Sequence, residues 1–374
     1  MIGDLETPRL LLDAERFERN CERIRARCEV LGVTLRPHLK TAKSSEIARR
    51  ALGGLKGPIT VSTLKEAEYF ASQGYRDILY ATAIAPQKLD HAARIQREHS
   101  CDLLLVTDSL ALVSKAAAFA QQGTVLSFLI EIDCGEHRSG LPADDPSVVE
   151  LARAIASSPR LTLRGVMAHA GHSYGTSDGA EVACIAAAER DAAVTAARAI
   201  RAAGYACDIV SIGSTPTLLH ADHLEGVTEA RAGIYMFWDL AQFSRAMCGI
   251  EDIAVSVLAT VIGHNRQGSS LIIDAGALAL SKDIGAGKFL KDAGYGYVCD
   301  AQTLARLGSL SVDGVHQEHG TIQVSNDVWF DRLPVGSQVR ILPNHACLTC
   351  AAYDEYDVIR DGAIIDRWSR IHGW

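Results

Sequence analysis

The segment Thr34-Leu-Arg-Pro-His-Leu-Lys-Thr41 opens a long alternation of strand-like and helix-like runs, and it decides between two α/β folds. An open doubly wound sheet usually carries a glycine-rich dinucleotide fingerprint directly after its first strand. This segment has no G-x-G-x-x-G pattern and places a lysine, Lys40, after the strand instead. It therefore favours a closed (β/α)8 barrel, which needs no such fingerprint.

The alternation continues outward from this segment to about residue 236. Short apolar runs with strand character occur at residues 34–38, 58–62, 77–81, 102–106, 125–132, 162–168, 208–212 and 226–230. Longer Ala-rich amphipathic segments separate them, a pattern typical of parallel βα units. Eight such units in roughly 200 residues predict an α/β fold with a (β/α)8 TIM barrel, which we assign to residues 1–245.

The pattern changes after Trp238. Strand-like runs follow at residues 253–261, 270–274, 296–299, 321–324, 338–342 and 356–359, with few long helices between them. This composition predicts a second, mainly β domain at residues 246–374. Whether the first residues of the chain pack with this second domain is left open.

Composition and charge exclude several classes of partner. The 374 residues include 37 Lys and Arg against 45 Asp and Glu, a net charge of −8. Nucleic acids and anionic membranes need a basic surface, so we expect neither, although a local basic pocket for a small anion is compatible with this charge. We also expect no signal peptide and no membrane helix, because no apolar run approaches roughly 20 residues. Without a signal peptide we expect a cytoplasmic protein, in which the ten cysteines are mostly reduced, buried thiols.

Candidate catalytic residues follow from the barrel, whose active site lies at the C-terminal ends of its strands. Lys40 follows the first predicted strand, and burial there would disfavour its ammonium form, which suits Schiff-base chemistry. Its position is also compatible with an ordinary surface lysine. His169 and Arg231 follow later strands, where His169 could stack on a cofactor ring and Arg231 could face a pyridine nitrogen. An ion pair for Arg231 and a structural hydrogen bond for His169 are the alternatives.

Two loops of small residues predict a phosphate site. The loop at residues 211–217 contains Gly213, Ser214 and Thr215, and Gly233-Ile234-Tyr235 follows the eighth strand. Barrels often bind phosphate after strands seven and eight, where backbone N–H groups approach the anion. The first loop could equally be a turn that caps the next helix. A Schiff-base lysine together with a phosphate site points to pyridoxal 5'-phosphate.

His345 and Cys347 form a candidate metal site. We expect them to lie on an extended segment, where residues two apart point to the same side. Imidazole and thiolate are good zinc ligands, and two ligands leave positions open for water and substrate. A half-buried histidine beside a structural cysteine is the alternative. A Cys347–Cys350 redox pair is disfavoured, because such a pair begins a helix after a strand and Pro343 predicts a β context instead.

These motifs together resemble the fold-type III, alanine racemase-like pyridoxal phosphate enzymes, in particular the group of D-serine dehydratase, D-threo-3-hydroxyaspartate dehydratase and D-threonine aldolase. The resemblance covers nearly the whole chain. It is carried by residues 36–41 (Arg-Pro-His-Leu-Lys-Thr), 133–140 (Asp-Cys-Gly-Glu-His-Arg-Ser-Gly), 168–172, 213–217, 231–235, 317–320 and 343–347. Many relatives have a histidine where this chain has Ala42, so the role of that histidine does not carry over.

The resemblance implies a role for each matching residue. Lys40 would form the imine with the cofactor, and Lys40 and His172 would be catalytic. The implied cofactor-binding residues are Lys40, Arg138, His169, Ser214, Thr215, Arg231, Gly233, Ile234 and Tyr235. The implied ligands of a divalent metal are His345 and Cys347.

The metal ligands also favour one reaction within the group. Aldolases of this group tend to have His-x-Asp and dehydratases His-x-Cys, and this chain has His345-Ala-Cys347. A thiolate favours zinc. The resemblance therefore implies a zinc-dependent dehydratase that converts a small D-3-hydroxy amino acid into a 2-oxo acid and ammonia, in a homodimer with its active site at the subunit interface. The alternatives are a D-threonine aldolase, a racemase and a non-catalytic protein that binds pyridoxal phosphate.

Overall fold

The computed structural model describes residues 2–121 and 123–374, so Met1 and Gln122, which fall within the predicted 1–245 domain, lie outside the described residues. The chain divides into two compact units. One contains Glu22–Gly233 with the last two residues, and the other contains the N-terminal segment through Cys21 together with Ile234–His372. The functional boundary between residues 245 and 246 stays a prediction.

After strand β1 (Arg9–Asp13) and helix α1 (Ala14–Leu31), strands and helices alternate through the first unit. The strands are β2 (Thr34–Leu35), β3 (Ile59–Val61), β4 (Asp77–Ala83), β5 (Asp102–Thr107), β6 (Leu126–Asp133), β7 (Leu141–Pro142), β8 (Leu161–Ala168), β9 (Ile209–Ile212) and β10 (Glu229–Ala230). The helices are α2 (Ser45–Ala51), α3 (Leu64–Ser72), α4 (Leu89–His99), α5 (Leu110–Ala120), α6 (Ser147–Ala156), α7 (Gly179–Ala202) and α8 (Thr215–His220). Within the described part of the chain, no helix has the length and apolar character that crossing a bilayer requires.

The parallel strands of this unit close into a barrel. Their order is β2-β10-β9-β8-β6-β5-β4-β3, with β7 beside β6. A parallel bridge between His38 and Thr60 joins the two ends of this order, and the Leu39 N–H donates to the Thr60 carbonyl at 2.9 Å. β2 is short because Pro37, which follows it closely, has no N–H to donate. The predicted (β/α)8 barrel is confirmed.

The barrel interior is filled by apolar side chains from neighbouring strands. Leu79, Leu104, Val106, Leu129 and Met167 form one buried cluster there. Strands that are buried on both faces are apolar almost throughout, which is why their sequences are continuous rather than alternating. A charged residue inside such a strand therefore needs a specific reason.

The second unit is mainly β. Its strands after β1 are β11 (Val255–Asn265), β12 (Ser270–Ile273), β13 (Gly296–Asp300), β14 (Arg306–Ser311), β15 (Gly314–Val315), β16 (Gly320–Gln323), β17 (Gln338–Pro343), β18 (Glu355–Arg360) and β19 (Ala363–Ser369). Its short helices are α9 (Leu240–Phe243), α10 (Ala277–Leu280), α11 (Val328–Arg332) and α12 (Ala346–Cys350). The main strand order is β14-β13-β17-β11-β1-β18-β19, so the N-terminal strand lies inside this sheet. The predicted mainly β character is confirmed.

Candidate active site

A cavity of about 400 Å³ lies in the barrel unit, where the strands end. Its lining includes Lys40, Glu131, Arg138, His169, Gly213 and Arg231. His169, Gly213 and Arg231 each follow directly the last residue of a strand, namely β8, β9 and β10. The cavity therefore occupies the end of the barrel at which active sites of this fold occur.

Lys40 lines the cavity, but its side chain is exposed, so the burial expected from its position is wrong. β2 ends at Leu35, and Lys40 lies in a turn beyond the strand. That turn is anchored by the next lysine, since Lys43 Nζ lies 3.3 Å from Glu66 Oε1, a carboxylate that is fully buried. Lys40 is thus free to reach a ligand, while the turn that carries it is fixed.

The ring of His169 is held in one tautomer. Its Nδ1–H donates to the Gly213 carbonyl at 2.6 Å, which leaves Nε2 as an acceptor. Burial and, to a smaller extent, the charges of Arg231, Lys40 and Arg138 lower the pKa of His169 to about 3, although the hydrogen bond to Gly213 opposes them. His169 is therefore neutral at physiological pH and presents an uncharged, planar ring.

This lowered pKa predicts a pH dependence of stability. The unfolded chain binds a proton at this histidine below its ordinary pKa of 6.5, whereas the folded chain does so only near 3. The free energy of unfolding of the wild type should therefore fall, relative to His169→Asn, as the pH is lowered from 6.5 towards 3. Urea unfolding of both proteins across this range measures the difference. Parallel pH profiles would contradict the assignment.

Arg231 is buried and bound to neutral oxygens. Its Nη1 donates to Ser211 Oγ and its Nη2 to the Ala168 carbonyl, both at 2.6 Å. Burial lowers the pKa of Arg231, and the nearby charge of Arg36 acts in the same direction. The guanidinium is thus fixed at the ends of three strands. This geometry differs from the ion pair that is the usual environment of a barrel arginine.

The loop after β9 caps the next helix, and its role as a phosphate site stays a prediction. Ser214 caps α8, since its hydroxyl accepts from the Thr217 N–H at 3.2 Å in a capping box. Gly213 has φ +142°, and a Cβ there would lie 2.1 Å from the Arg231 carbonyl oxygen, so only glycine fits. The Gly233 N–H points to Thr215 Oγ1 at 3.4 Å, which brings together the loops after the seventh and eighth barrel strands. Ile234 and Tyr235 are buried in the turn that follows.

Arg138 and His172 occupy different positions. Arg138 lines the cavity, with 56 % of its side chain exposed and a contact of 3.4 Å to Glu136 Oε1. His172 is not one of the described residues that line the cavity. Its half-buried ring lies beside the loop after β6, where a Cβ on Gly135 would be 3.9 Å away. A catalytic role for His172 stays a prediction.

Sequence reasoning missed Glu131, which lines the cavity from within β6. Its Oε1 accepts from Ser139 Oγ at 2.8 Å, and its buried Oε2 has no hydrogen-bond partner among the described residues. Burial raises the pKa of Glu131, and Asp108 adds to the shift. The signal was available, because Glu131 interrupts an otherwise apolar strand. A buried oxygen without a partner indicates that the cavity accommodates a polar group.

His345 and Cys347 lie in the other unit and do not lie on an extended segment as predicted. β17 ends at Pro343, His345 is the N-cap of α12, and Cys347 is in its first turn. The two side chains nevertheless meet, since a hydrogen bond between them contributes to the pKa of His345. The His345 side chain does not cap the helix backbone, so its imidazole is available to the thiol.

Asp283 completes this pair. Its Oδ2 accepts from His345 Nδ1 at 2.6 Å. Burial lowers the pKa of His345, but the hydrogen bond and charge of Cys347, the charge of Asp239 and the hydrogen bond with Asp283 outweigh it and raise the pKa to about 10. Histidines that ligate metals usually donate their other ring N–H to a carboxylate in this way. No sequence signal marked Asp283, which lies 62 residues before its partner.

Buried polar side chains fix the turn that carries the pair. Asp239 is fully buried and accepts from the Ala346 N–H at 2.9 Å. Asn344, also fully buried, accepts from the Ala286 N–H and donates to the Gly294 carbonyl, both at 2.8 Å. The positions of His345 and Cys347 are therefore set by hydrogen bonds to three other loops.

The sequence disfavoured a Cys347–Cys350 redox pair because a β context was expected there. That expectation is wrong, since the two cysteines lie in a helix that follows a strand. The thiols differ in environment. Cys350 is fully buried, and burial raises its pKa to about 12, so it is a poor thiolate. Cys347 is half-buried and faces His345. The geometry assigns Cys347 to the histidine rather than to the second cysteine.

The residues present fit both groups that the sequence suggested. The barrel cavity has the size of a small-molecule site, a planar neutral ring and three cationic side chains that suit an anionic cofactor. The His345–Cys347 pair offers one imidazole and one thiol, a donor set that zinc prefers. The segment Gln317–His319, which the resemblance also marked, is exposed in the second unit.

Another group of metal-ligating residues lies away from the cavity. The ligand atoms of Glu68, Glu98 and His99 lie within 4.8 Å of one another. Arg94 Nη1 is 3.0 Å from Glu68 and 3.7 Å from Glu98, so both carboxylates already have a cationic partner. This group is explained as a surface ion-pair network on α3 and α4.

Comparisons with known proteins cover the whole chain. Residues 12–241 match the protein family described as "Alanine racemase, N-terminal domain", and residues 254–359 match the "Putative serine dehydratase domain". The chain is 43 % identical to D-threo-3-hydroxyaspartate dehydratase from Delftia sp. (strain HT23), over 99 % of this chain and 98 % of that protein. It is 33 % identical to D-serine dehydratase from Dictyostelium discoideum, over 100 % and 98 %. It is 28 % identical to 3-hydroxy-D-aspartate aldolase from Paracoccus denitrificans, over 98 % and 92 %.

Solved structures give the same result. The Delftia dehydratase superposes with a TM-score of 0.96 over 100 % of this chain and 99 % of its own. Structures of that dehydratase include a His-to-Ala variant and a Cys-to-Ala variant two positions further along, the latter in a metal-free form. The two substituted residues, a histidine and a cysteine, have the His-x-Cys spacing.

Proposed function

Because the chain belongs to the alanine racemase-like family and carries the serine dehydratase domain, we propose that it is a pyridoxal phosphate- and zinc-dependent dehydratase of a D-3-hydroxy amino acid. D-threo-3-hydroxyaspartate and D-serine, on which its relatives act, are the proposed substrates. The observation that carries the proposal is the His345–Cys347 pair with Asp283 on the imidazole. This donor set suits a metal that activates the β-hydroxyl as a leaving group.

The barrel cavity supplies the cofactor site. Lys40 would carry the cofactor, Arg138, His169 and Arg231 would surround its ring, and residues of the two loops would bind its phosphate, namely Ser214, Thr215, Gly233, Ile234 and Tyr235. When bound, pyridoxal phosphate withdraws electrons from the substrate Cα and makes its proton acidic. Lys40 Nζ would hold the cofactor and would accept the Cα proton of the bound substrate. Loss of this proton and of the β-hydroxyl gives an enamine, which hydrolyses to a 2-oxo acid and ammonia.

His169 and Arg231, which line the cavity, would influence the acidity of the Cα proton and the protonation of the cofactor ring. His169 stays neutral and keeps its proton on Nδ1, so it neither gives nor takes the Cα proton at physiological pH. Arg231 offers a fixed positive charge that donates to the Ser211 hydroxyl and the Ala168 carbonyl. A cation beside a pyridine nitrogen keeps that nitrogen unprotonated. The ring would then withdraw fewer electrons, which makes assistance at the β-hydroxyl more important.

The second unit supplies that assistance. His345 Nε2 and Cys347 Sγ would hold the cation, with Asp283 keeping the other ring nitrogen protonated. A divalent metal so held acts as a Lewis acid on the hydroxyl oxygen. The equivalent spacing of the two substituted residues in the Delftia dehydratase supports this assignment.

Product analysis tests the proposal. The purified protein should convert D-serine or D-threo-3-hydroxyaspartate into a 2-oxo acid and ammonia, lose this activity with a chelator and regain it with zinc. The L-enantiomers serve as the control and should not react. Glycine and an aldehyde would instead establish the aldolase, a reaction of its Paracoccus relative. Loss of optical activity without loss of amino acid would establish a racemase, and a protein that binds the cofactor without turnover would exclude all three.

We further propose a homodimer with the active site at the subunit interface, and a cytoplasmic location. Both rest on the family resemblance and on composition. Sedimentation of the purified protein tests the first, and fractionation of cells tests the second.

A further inference from the structure

Helix α7 carries one carboxylate on its buried face. Glu189 is fully buried, as is Ala193 one turn later, and Ala186 one turn earlier is 1 % exposed. Alanine fits this face because the helix packs closely against the barrel. A glutamate in such a position needs hydrogen-bond partners, because burying a carboxylate without them is very costly.

Glu189 has three partners, and they belong to three different segments at the strand ends. Its Oε1 accepts from the Ala170 N–H at 2.7 Å and from the Gly213 N–H at 3.1 Å. Its Oε2 accepts from Thr217 Oγ1 at 2.7 Å. Ala170 follows β8, Gly213 follows β9, and Thr217 is in α8. One side chain therefore ties together two loops and the helix that begins after them.

Each of these segments carries a residue of the cavity. Gly213, whose N–H binds Glu189, accepts with its carbonyl the Nδ1–H of His169. Thr217, the second partner, forms the capping box with Ser214 of the proposed phosphate loop. Glu189 is not among the residues that line the cavity, so it acts through others.

Glu189 acts through the hydrogen bonds that its oxygens accept rather than through its charge. Burial raises its pKa, while the three hydrogen bonds and the charge of Arg231 oppose that shift. A neutral amide of the same shape would keep one oxygen for the two backbone N–H groups, and its NH2 could donate to Thr217 Oγ1. Removal of the side chain would leave two buried N–H groups unsatisfied.

We propose that Glu189 is a positioning residue, which fixes the turn at Gly213 and thereby the tautomer of His169 and the phosphate loop. The role in the phosphate loop rests on the proposed function, because it requires that the cavity binds pyridoxal phosphate. The role in fixing the Gly213 turn and the His169 tautomer does not depend on any cofactor.

The test compares full-length wild type with Glu189→Ala, Glu189→Gln and Thr217→Val. Glu181→Gln is the matched control, since Glu181 is exposed on the same helix. Thr217→Val removes one of the three bonds and also the bond that Thr217 Oγ1 accepts from the Ser214 N–H. If Glu189→Ala does not fold, the His169 tautomer in Thr217→Val, rather than its cofactor affinity, decides the test. The first readout is the ring 15N spectrum of the cofactor-free proteins, with His169 assigned by its absence in His169→Asn. The second is the dissociation constant of pyridoxal phosphate.

We expect wild type, Glu181→Gln and Glu189→Gln to show His169 in the Nδ1–H tautomer and to bind the cofactor within threefold of one another. Glu189→Ala should show mixed tautomers and at least tenfold weaker binding, and Thr217→Val an intermediate loss. A single Nδ1–H tautomer with unchanged affinity in both Glu189→Ala and Thr217→Val would overturn the proposal, as would Glu189→Gln losing as much as Glu189→Ala. If wild type itself binds no pyridoxal phosphate, the proposed function fails, and the tautomers alone decide whether Glu189 positions His169.

Discussion

Replacing Lys40 by alanine is expected to abolish the visible absorption of bound cofactor and to lower turnover by at least about 1,000-fold. Lys40 lines the cavity in an anchored turn with its side chain exposed, so its loss removes one amine without disturbing a packed core. The same amine is proposed both to hold the cofactor and to accept the Cα proton. The spectrum of wild type measured in parallel gives the reference.

Two controls make this experiment specific. Lys115→Ala, at an exposed position on α5, should leave absorption and turnover unchanged. Lys40→Arg keeps a positive charge but cannot form the imine, and it should fail as completely as Lys40→Ala. A coloured, active Lys40→Ala protein would remove Lys40 from the mechanism and with it the Schiff-base assignment.

The barrel could be predicted because its signal is local. Each buried parallel strand is a short apolar run, and each helix has its own amphipathic period, so neither requires knowledge of distant residues. The ends of the strands are less well determined. β2 ends at Leu35, and Lys40 lies in a turn beyond it, where it is exposed rather than buried. The position of the lysine in the fold was predictable, but its environment was not.

The His345–Cys347 pair shows a different limit of prediction from sequence. The spacing of His345 and Cys347 was the correct signal, but the local structure inferred from it was wrong, because α12 begins where an extended segment was expected. An N-cap histidine and a residue of the first turn can face each other as well as two residues on a strand can. The same spacing thus supports one site through two backbone geometries.

Residues that act through tertiary contacts left no pattern in the sequence. Asp283 binds a histidine 62 residues away, and Glu189 binds Thr217 across 28 residues. Both contacts depend on how loops meet after folding. Glu131 and Glu189 share a weaker signal, since each is a carboxylate in an otherwise apolar or Ala-rich buried segment. Such interruptions identify candidates, and only the structure assigns their partners.

Replacing His345 by alanine is expected to lower turnover by about 1,000-fold while the visible absorption of the cofactor stays that of wild type. The physical reason is that Lewis-acid assistance to a poor leaving group contributes several kcal/mol to the barrier, whereas Lys40 and its cavity lie in the other unit of the chain. Metal content measured on the purified proteins should fall with turnover. Cys347→Ala should behave in the same way.

Two further variants separate a metal site from the other interpretations of this pair. Asp283→Asn keeps His345 and Cys347 but weakens the hydrogen bond to Nδ1, and it should reduce metal affinity by about 10- to 100-fold. Cys350→Ala should retain both metal and turnover, because Cys350 is fully buried and is not a proposed ligand. Equal losses in Cys347→Ala and Cys350→Ala would instead favour the redox pair. Full activity of His345→Ala without metal would show that the β-hydroxyl leaves without a Lewis acid, and the dehydratase mechanism would then have to rest on the barrel residues alone.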